Sequence, residues 1–161
     1  MKKITLLSLM SLMSLVFMIG SCSKKTTTAP ASSYISLTYQ GTTHTDYLTS
    51  QGLAVEPTYN QMKFSALENV TNNDFEILIT NGCTSGSYPF TIYCVIYITI
   101  GSVNYSSSYP NNQSFSPGNI VISLEPTTGT INFTATVYNE VNVSDNMTVV
   151  GTYSGPILTI Q

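Results

Sequence analysis

The chain has 161 residues, of which 42% are hydrophobic and only 8% charged, and its formal net charge is −3. It has no arginine, and four of its five lysines (Lys2, Lys3, Lys24, Lys25) fall near the start, so the remainder sets Lys63 against eight acids, a balance of −7. So few cations cannot neutralise a phosphate backbone, and nucleic-acid binding is excluded.

Lys2 and Lys3 precede an apolar run over residues 4–20. The run lacks the roughly 20 strongly apolar residues of a membrane-spanning helix. A charged start, a short apolar core and small residues at its end read instead as a secretory signal over residues 1–21. The stretch Ile19-Gly20-Ser21-Cys22 resembles the lipobox of bacterial lipoproteins. That resemblance implies a diacylglycerol on the Cys22 thiol, cleavage before it and acylation of the new amino group. Several acyl chains make a stable membrane anchor. Ser23, in place of aspartate after the cysteine, favours the outer membrane by analogy with enteric bacteria, with the periplasmic and surface faces both open. Residues 22–33 are polar, small and aperiodic, the composition of a flexible tether.

About 128 residues follow, enough for one domain with one core. Ser, Thr, Asn, Tyr, Val and Ile dominate, residues of strands and turns. Alternation of period two predicts strands at 34–40, 41–49, 60–67, 74–80, 90–100, 119–125, 130–138 and 146–154. Turn signals separate them, among them Asn81-Gly82, Pro117-Gly118 and Thr128-Gly129. The expected fold is a single antiparallel β-sandwich, Ig-like or similar, over residues 34–161. Its expected core holds Ile35, Leu37, Phe64, Phe75, Ile77, Ile79, Ile120, Ile122, Phe133, Ala135 and Val149. The segment 90–100 is apolar on both faces, which suggests a central strand or a covered outer face; an assembly subunit would use it as a covered edge or interface.

Three stretches, "TNGCTSGSYPFT" (80–91), "GNIVISLEPTTGTINFTATVYN" (118–139) and "MTVVGTYSGPI" (147–157), together resemble a group of small β-sandwich lipoproteins of the Bacteroidetes. The shared pattern is structural. It implies a fold and an envelope location, and it brings no reaction or catalytic residues.

Candidate chemistry is sparse. His44, the sole histidine, shares "THTDY" with Asp46. No G-x-S-x-G elbow accompanies them for a Ser-His-Asp site, so a plain strand histidine is the simpler reading. One histidine and two separated thiols make a poor zinc set, and no calcium-loop motif is present. Neither a metal nor a cofactor is expected, nor an enzyme. Cys83 and Cys94 are either a disulfide of an oxidising compartment or two buried thiols.

The most suggestive feature is eleven tyrosines with no tryptophan. Tyr105 and Tyr109, with Asn104, Asn111 and Asn112, lie in the polar stretch 102–117, expected to be an exposed, mobile loop. Tyr, Asn and Ser together suit an adaptable binding surface. The functional expectation is a lipid-anchored envelope module that binds a glycan or a protein. The alternative is a structural or assembly subunit of an envelope complex.

Overall fold

The computed structural model describes residues 33–71, 73–108 and 114–160. The signal, the tether with Cys22 up to residue 32, and Tyr109, Asn111 and Asn112 lie outside them, while Ser33, the expected last tether residue, opens a strand. The described residues form eleven strands: β1 Ser33–Tyr39, β2 Thr42–Thr49, β3 Leu53–Glu56, β4 Gln61–Glu68, β5 Asp74–Ile79, β6 Gly86–Pro89, β7 Cys94–Ile100, β8 Val103–Ser106, β9 Asn119–Leu124, β10 Thr128–Asn139 and β11 Asn146–Thr159. A 3-10 turn, Pro57–Tyr59, joins β3 to β4. Three strands escape the period-two reading, and each has only four residues: β3, β6 and β8.

The fold is all-β, but it is a barrel and not a sandwich. Eight strands close in the order β1-β2-β4-β5-β7-β8-β10-β11, every neighbouring pair antiparallel. Two pairings distinguish the ring from two stacked sheets. The first joins β2 to β4 at Tyr47↔Glu68 and Leu48↔Leu67. The second joins β10 to β11 over the whole stretch from Thr128↔Pro156 to Tyr138↔Asn146. Closure works because long strands share an edge between two partners. One edge of β4 pairs with β3 through Gln61–Phe64 and then with β2 through Leu67 and Glu68. One edge of β11 pairs with β1 and then, in parallel, with β3. The strands β3, β9 and β6 are the additions outside the eight-strand ring, β9 on β10 and β6 on β9.

An eight-stranded barrel is narrow enough for side chains to fill it. All eleven expected core residues are buried. Aromatic rings run through the centre: Tyr153 against Phe64 (centroids 4.7 Å apart), Phe64 edge-on to Phe75 (6.3 Å), and Phe75 stacked on Phe133 (5.7 Å). Phe133 lies across Gly151, its register partner, where an added Cβ would sit 2.1 Å from the ring. The strand β7 is internal, flanked by β5 and β8, so residues 90–100 do not form an edge. Outward-pointing Val95 is nevertheless buried.

Candidate functional site

The four hairpins β1–β2, β4–β5, β7–β8 and β10–β11 join neighbouring barrel strands. In an up-and-down order all four turns fall at one end. The first is tight, Gln40 and Gly41 both at positive φ (50° and 76°), the requirement of a primed hairpin turn. Five of the eight acids sit at or next to this end: Asp46, Glu68, Asp74, Glu140 and Asp145. Lys63 lies further along β4, where it pairs with Glu76 at 2.8 Å.

A polar cluster occupies the seam where β2 meets β4. Between Ile35↔Tyr47 and Leu37↔His44, β1 advances two residues and β2 three, which is a β-bulge. The extra residue breaks strict alternation, so that Tyr47 and His44 both stand opposite interior residues of β1. His44 Nδ1 lies 2.9 Å from Glu68 Oε1. Glu68 is 4% exposed, and its other oxygen accepts from Asn73 Nδ2 at 2.6 Å and from the Thr71 hydroxyl. Asn73 Oδ1 in turn accepts the Gly101 N–H at 2.8 Å, which ties the β4–β5 turn to the β7–β8 turn. Tyr39 stacks flat on the imidazole, 4.2 Å between centroids and 2° between planes. Its hydroxyl shares a 3.0 Å hydrogen bond with that of Tyr47.

Burial pushes the Tyr47 phenol far above its ordinary range, and the adjoining Tyr39 hydroxyl and the Glu68 charge add to the rise. Burial also raises Tyr39, against the opposing hydrogen bond from Tyr47. Both therefore act here as neutral hydrogen-bonding groups. The donor atoms of His44, Asp46 and Glu68 all lie within 4.8 Å of one another, the single such group among the described residues. The pair His44 and Asp46 is readable from "THTDY"; Glu68, Tyr39, Tyr47 and Asn73 are not. They arrive through a long-range strand pairing and a bulge, neither of which leaves a local signature.

The structure places the tyrosine site differently from the sequence expectation. Tyr105 is 7% exposed, a core residue of β8, and its hydroxyl donates to Asp145 Oδ2 at 3.1 Å. Ser106, Ser107 and Ser116 are buried as well, so much of the stretch 102–117 is integrated into the fold. Asn104 is exposed, and its side-chain oxygen accepts from Thr99 at 3.1 Å. The described residues thus leave Asn104 alone at the surface, without Tyr105 beside it. Cys83 and Cys94 are unbridged thiols, the first half-buried and the second buried. Burial pushes the Cys94 thiol up to about 12.

A second feature is the outer face of β1, β11, β10 and β9. Its register rows read Ser36–Thr152–Asn132–Val121 and Thr38–Val150–Thr134. Outward Thr130, Thr136, Thr148 and Ser154 extend it, and none of its residues carries a charge. Strand spacing of about 4.8 Å and a two-residue repeat of about 6.8 Å set these side chains in a flat lattice. A shallow groove of about 380 Å³ crosses it, lined by Asn119, Val121, Asn132, Thr134, Val150 and Thr152 among others.

Comparison with known protein families, with curated proteins and with solved structures finds no match. Among the described residues no helix is long and apolar enough to cross a membrane.

Proposed function

We propose that this chain is a lipid-anchored protein of the bacterial envelope, a non-enzymatic binding module whose uncharged outer face takes a neutral glycan. The observation that carries the reading is the β1–β11–β10–β9 face, a lattice of hydroxyl and amide groups with exposed Val121 and Val150 among them and no charge. Hydroxyls and amides both donate and accept, as sugar hydroxyls do. A neutral ligand asks for no countercharge, and the shallow groove leaves room for a chain that runs on beyond it. The lipobox-like Ile19-Gly20-Ser21-Cys22 supports the anchor, and the outer membrane is the proposed site.

The test is retention of the purified protein on insoluble neutral polysaccharides. Asn132→Asp with Thr152→Asp places two charges in the groove without touching the core. The double variant is expected to lose at least tenfold in retention at an unchanged melting temperature. Equal retention of both proteins, or none of the wild type on a broad glycan panel, refutes the glycan reading. Fatty-acid labelling in cells tests the anchor separately, with Cys22→Ala expected to abolish it. A second reading, an assembly subunit, draws on outward-facing Leu78 of β5 and Tyr97 of β7, which flank the Lys63–Glu76 ion pair on the outer face. A stable oligomer in light scattering, lost on Tyr97→Lys, would favour it.

A further inference from the structure

We infer that His44, Asp46 and Glu68 form a binding site for one divalent transition-metal ion, Zn²⁺ or Mn²⁺ by its donor set, at the seam that closes the barrel. Three observations converge on it, and none depends on the glycan face.

The first is donor geometry. One imidazole nitrogen and two carboxylate oxygens lie within 4.8 Å of one another. Metal–ligand bonds of about 2.0–2.2 Å can draw such donors together with small side-chain rotations. One nitrogen with two oxygens suits a borderline ion, while calcium requires 6–8 oxygens.

The second observation is that the surrounding groups orient the donors. Tyr39 fixes the plane of the His44 ring by stacking. Thr71 and Asn73 hold Glu68, and Gly101 holds Asn73. Outer partners of this kind are what set ligand orientation and affinity at metal sites. The bulge in β2 adds a backbone feature that re-aims side chains locally.

The third is charge. Two carboxylates face one imidazole, so even a protonated His44 would leave one negative charge unbalanced. The Asp46 carboxylate accepts no hydrogen bond among the described residues, though its backbone carbonyl takes the Asn69 N–H at 3.2 Å, whereas the Glu68 carboxylate accepts three. The same barrel end gathers Asp74, Glu140 and Asp145, while Lys63, the only lysine after the tether, is paired with Glu76. A dication answers this imbalance, and no cation among the described residues does.

The test uses the purified full-length protein stripped with a chelator, then titrated with Zn²⁺, Mn²⁺, Ca²⁺ and Mg²⁺ by equilibrium dialysis, with thermal unfolding in parallel. Expected is one equivalent of Zn²⁺ or Mn²⁺ bound at micromolar concentration, with a rise in melting temperature and preference over Ca²⁺ and Mg²⁺. Asp46→Asn is the decisive variant, because the Asp46 carboxylate makes no hydrogen bond whose loss would unfold the apo-protein, and the substitution leaves the backbone bond to Asn69 in place. Its apo melting temperature should match the wild type, and its metal affinity should fall at least tenfold. A Cys83→Ser variant should bind like the wild type. The inference is overturned by the absence of saturable binding, by undiminished binding in Asp46→Asn, or by loss of binding in Cys83→Ser, which would place the metal on a thiol.

Discussion

Gly151 offers a sharp test of how the barrel interior is packed. It stands between Leu37 and Phe133 in a row across β1, β11 and β10. A Cβ there would lie 2.1 and 2.2 Å from two atoms of the Phe133 ring and 3.1 Å from Leu37 Cδ2. Gly151 does not have a positive φ, so Gly151→Ala brings no backbone strain and isolates the steric effect. Phe133 is 5% exposed and stacked on Phe75; to clear the methyl it must give up that stack. Overpacking of this kind costs about 1–3 kcal/mol. Removing a glycine from the unfolded chain returns about 0.4–1 kcal/mol. These ranges net to about 0–2.6 kcal/mol; the 2.1 Å approach to an aromatic ring puts the expectation in the upper part, a loss of about 1–2 kcal/mol, or a fall in melting temperature on the order of 3–10 °C for a domain of this size.

Denaturant and thermal unfolding of Gly151→Ala, Phe133→Leu and the double variant would measure it. Phe133→Leu alone removes buried ring atoms and costs about 1–2 kcal/mol. In the double variant the leucine makes room for the methyl, so the combined loss should fall short of the sum by more than about 0.5 kcal/mol. A Gly151→Ala protein as stable as the wild type would refute the reasoning. So would strict additivity, because the argument requires the two side chains to compete for one space.

Further predictions rest on other buried groups. Tyr105→Phe removes only the hydrogen bond to Asp145 and should cost about 0.5–1.5 kcal/mol, whereas Tyr105→Ala empties a core position and should cost about 3–5 kcal/mol; a melting temperature spared in Tyr105→Ala would show the residue to be a surface one. Burial raises the phenols of Tyr39, Tyr47, Tyr105 and Tyr153, so the folded state keeps protons that the unfolded chain releases near pH 10. Their contribution to stability is therefore whole below about pH 10 and is lost as pH rises toward the folded values, which an ultraviolet titration of tyrosinate against unfolding would show as late ionisation coincident with unfolding. At about pH 8 a thiol reagent should label Cys83 and spare Cys94, whose thiol is buried and pushed up to about 12, until denaturant exposes it; rapid native labelling of Cys94 would contradict its placement.

Eight strands, their inward residues and most turns were legible because burial on one face imposes alternation that a reader can count. Ile35-x-Leu37 and Phe75-x-Ile77-x-Ile79 carry that signal in single segments. The missed strands β3, β6 and β8 have four residues each, too few for a period to stand out from composition. Tyr105 was misplaced for a related reason. Polar neighbours such as Asn104 and Ser106 make "VNYSSS" read as loop, while the ring turns inward on a short strand. The His44–Asp46–Glu68 cluster was half legible: His44 and Asp46 are neighbours in sequence, but Glu68 joins them through a closing pair twenty-four residues from His44.

The difference between sandwich and barrel turns on those same closing pairs. Inward and outward residues alternate identically in both architectures, so no amount of period counting separates them. The choice depends on whether the ends of long strands find partners. Leu67 and Glu68 extend β4 past the end of β3, and that overhang leaves backbone donors and acceptors that β2 satisfies at Tyr47 and Leu48. An open sheet would leave this edge unpaired, which favours aggregation or intermolecular pairing. Closure removes the edge, but it carries the Glu68 carboxylate into the barrel mouth, where an unpaired charge would be strongly unfavourable. His44, Thr71 and Asn73 meet that charge. The polar cluster is thus a consequence of how the ring closes, and its ligand-like geometry is seated on the short two-pair ladder between β2 and β4 that closes it.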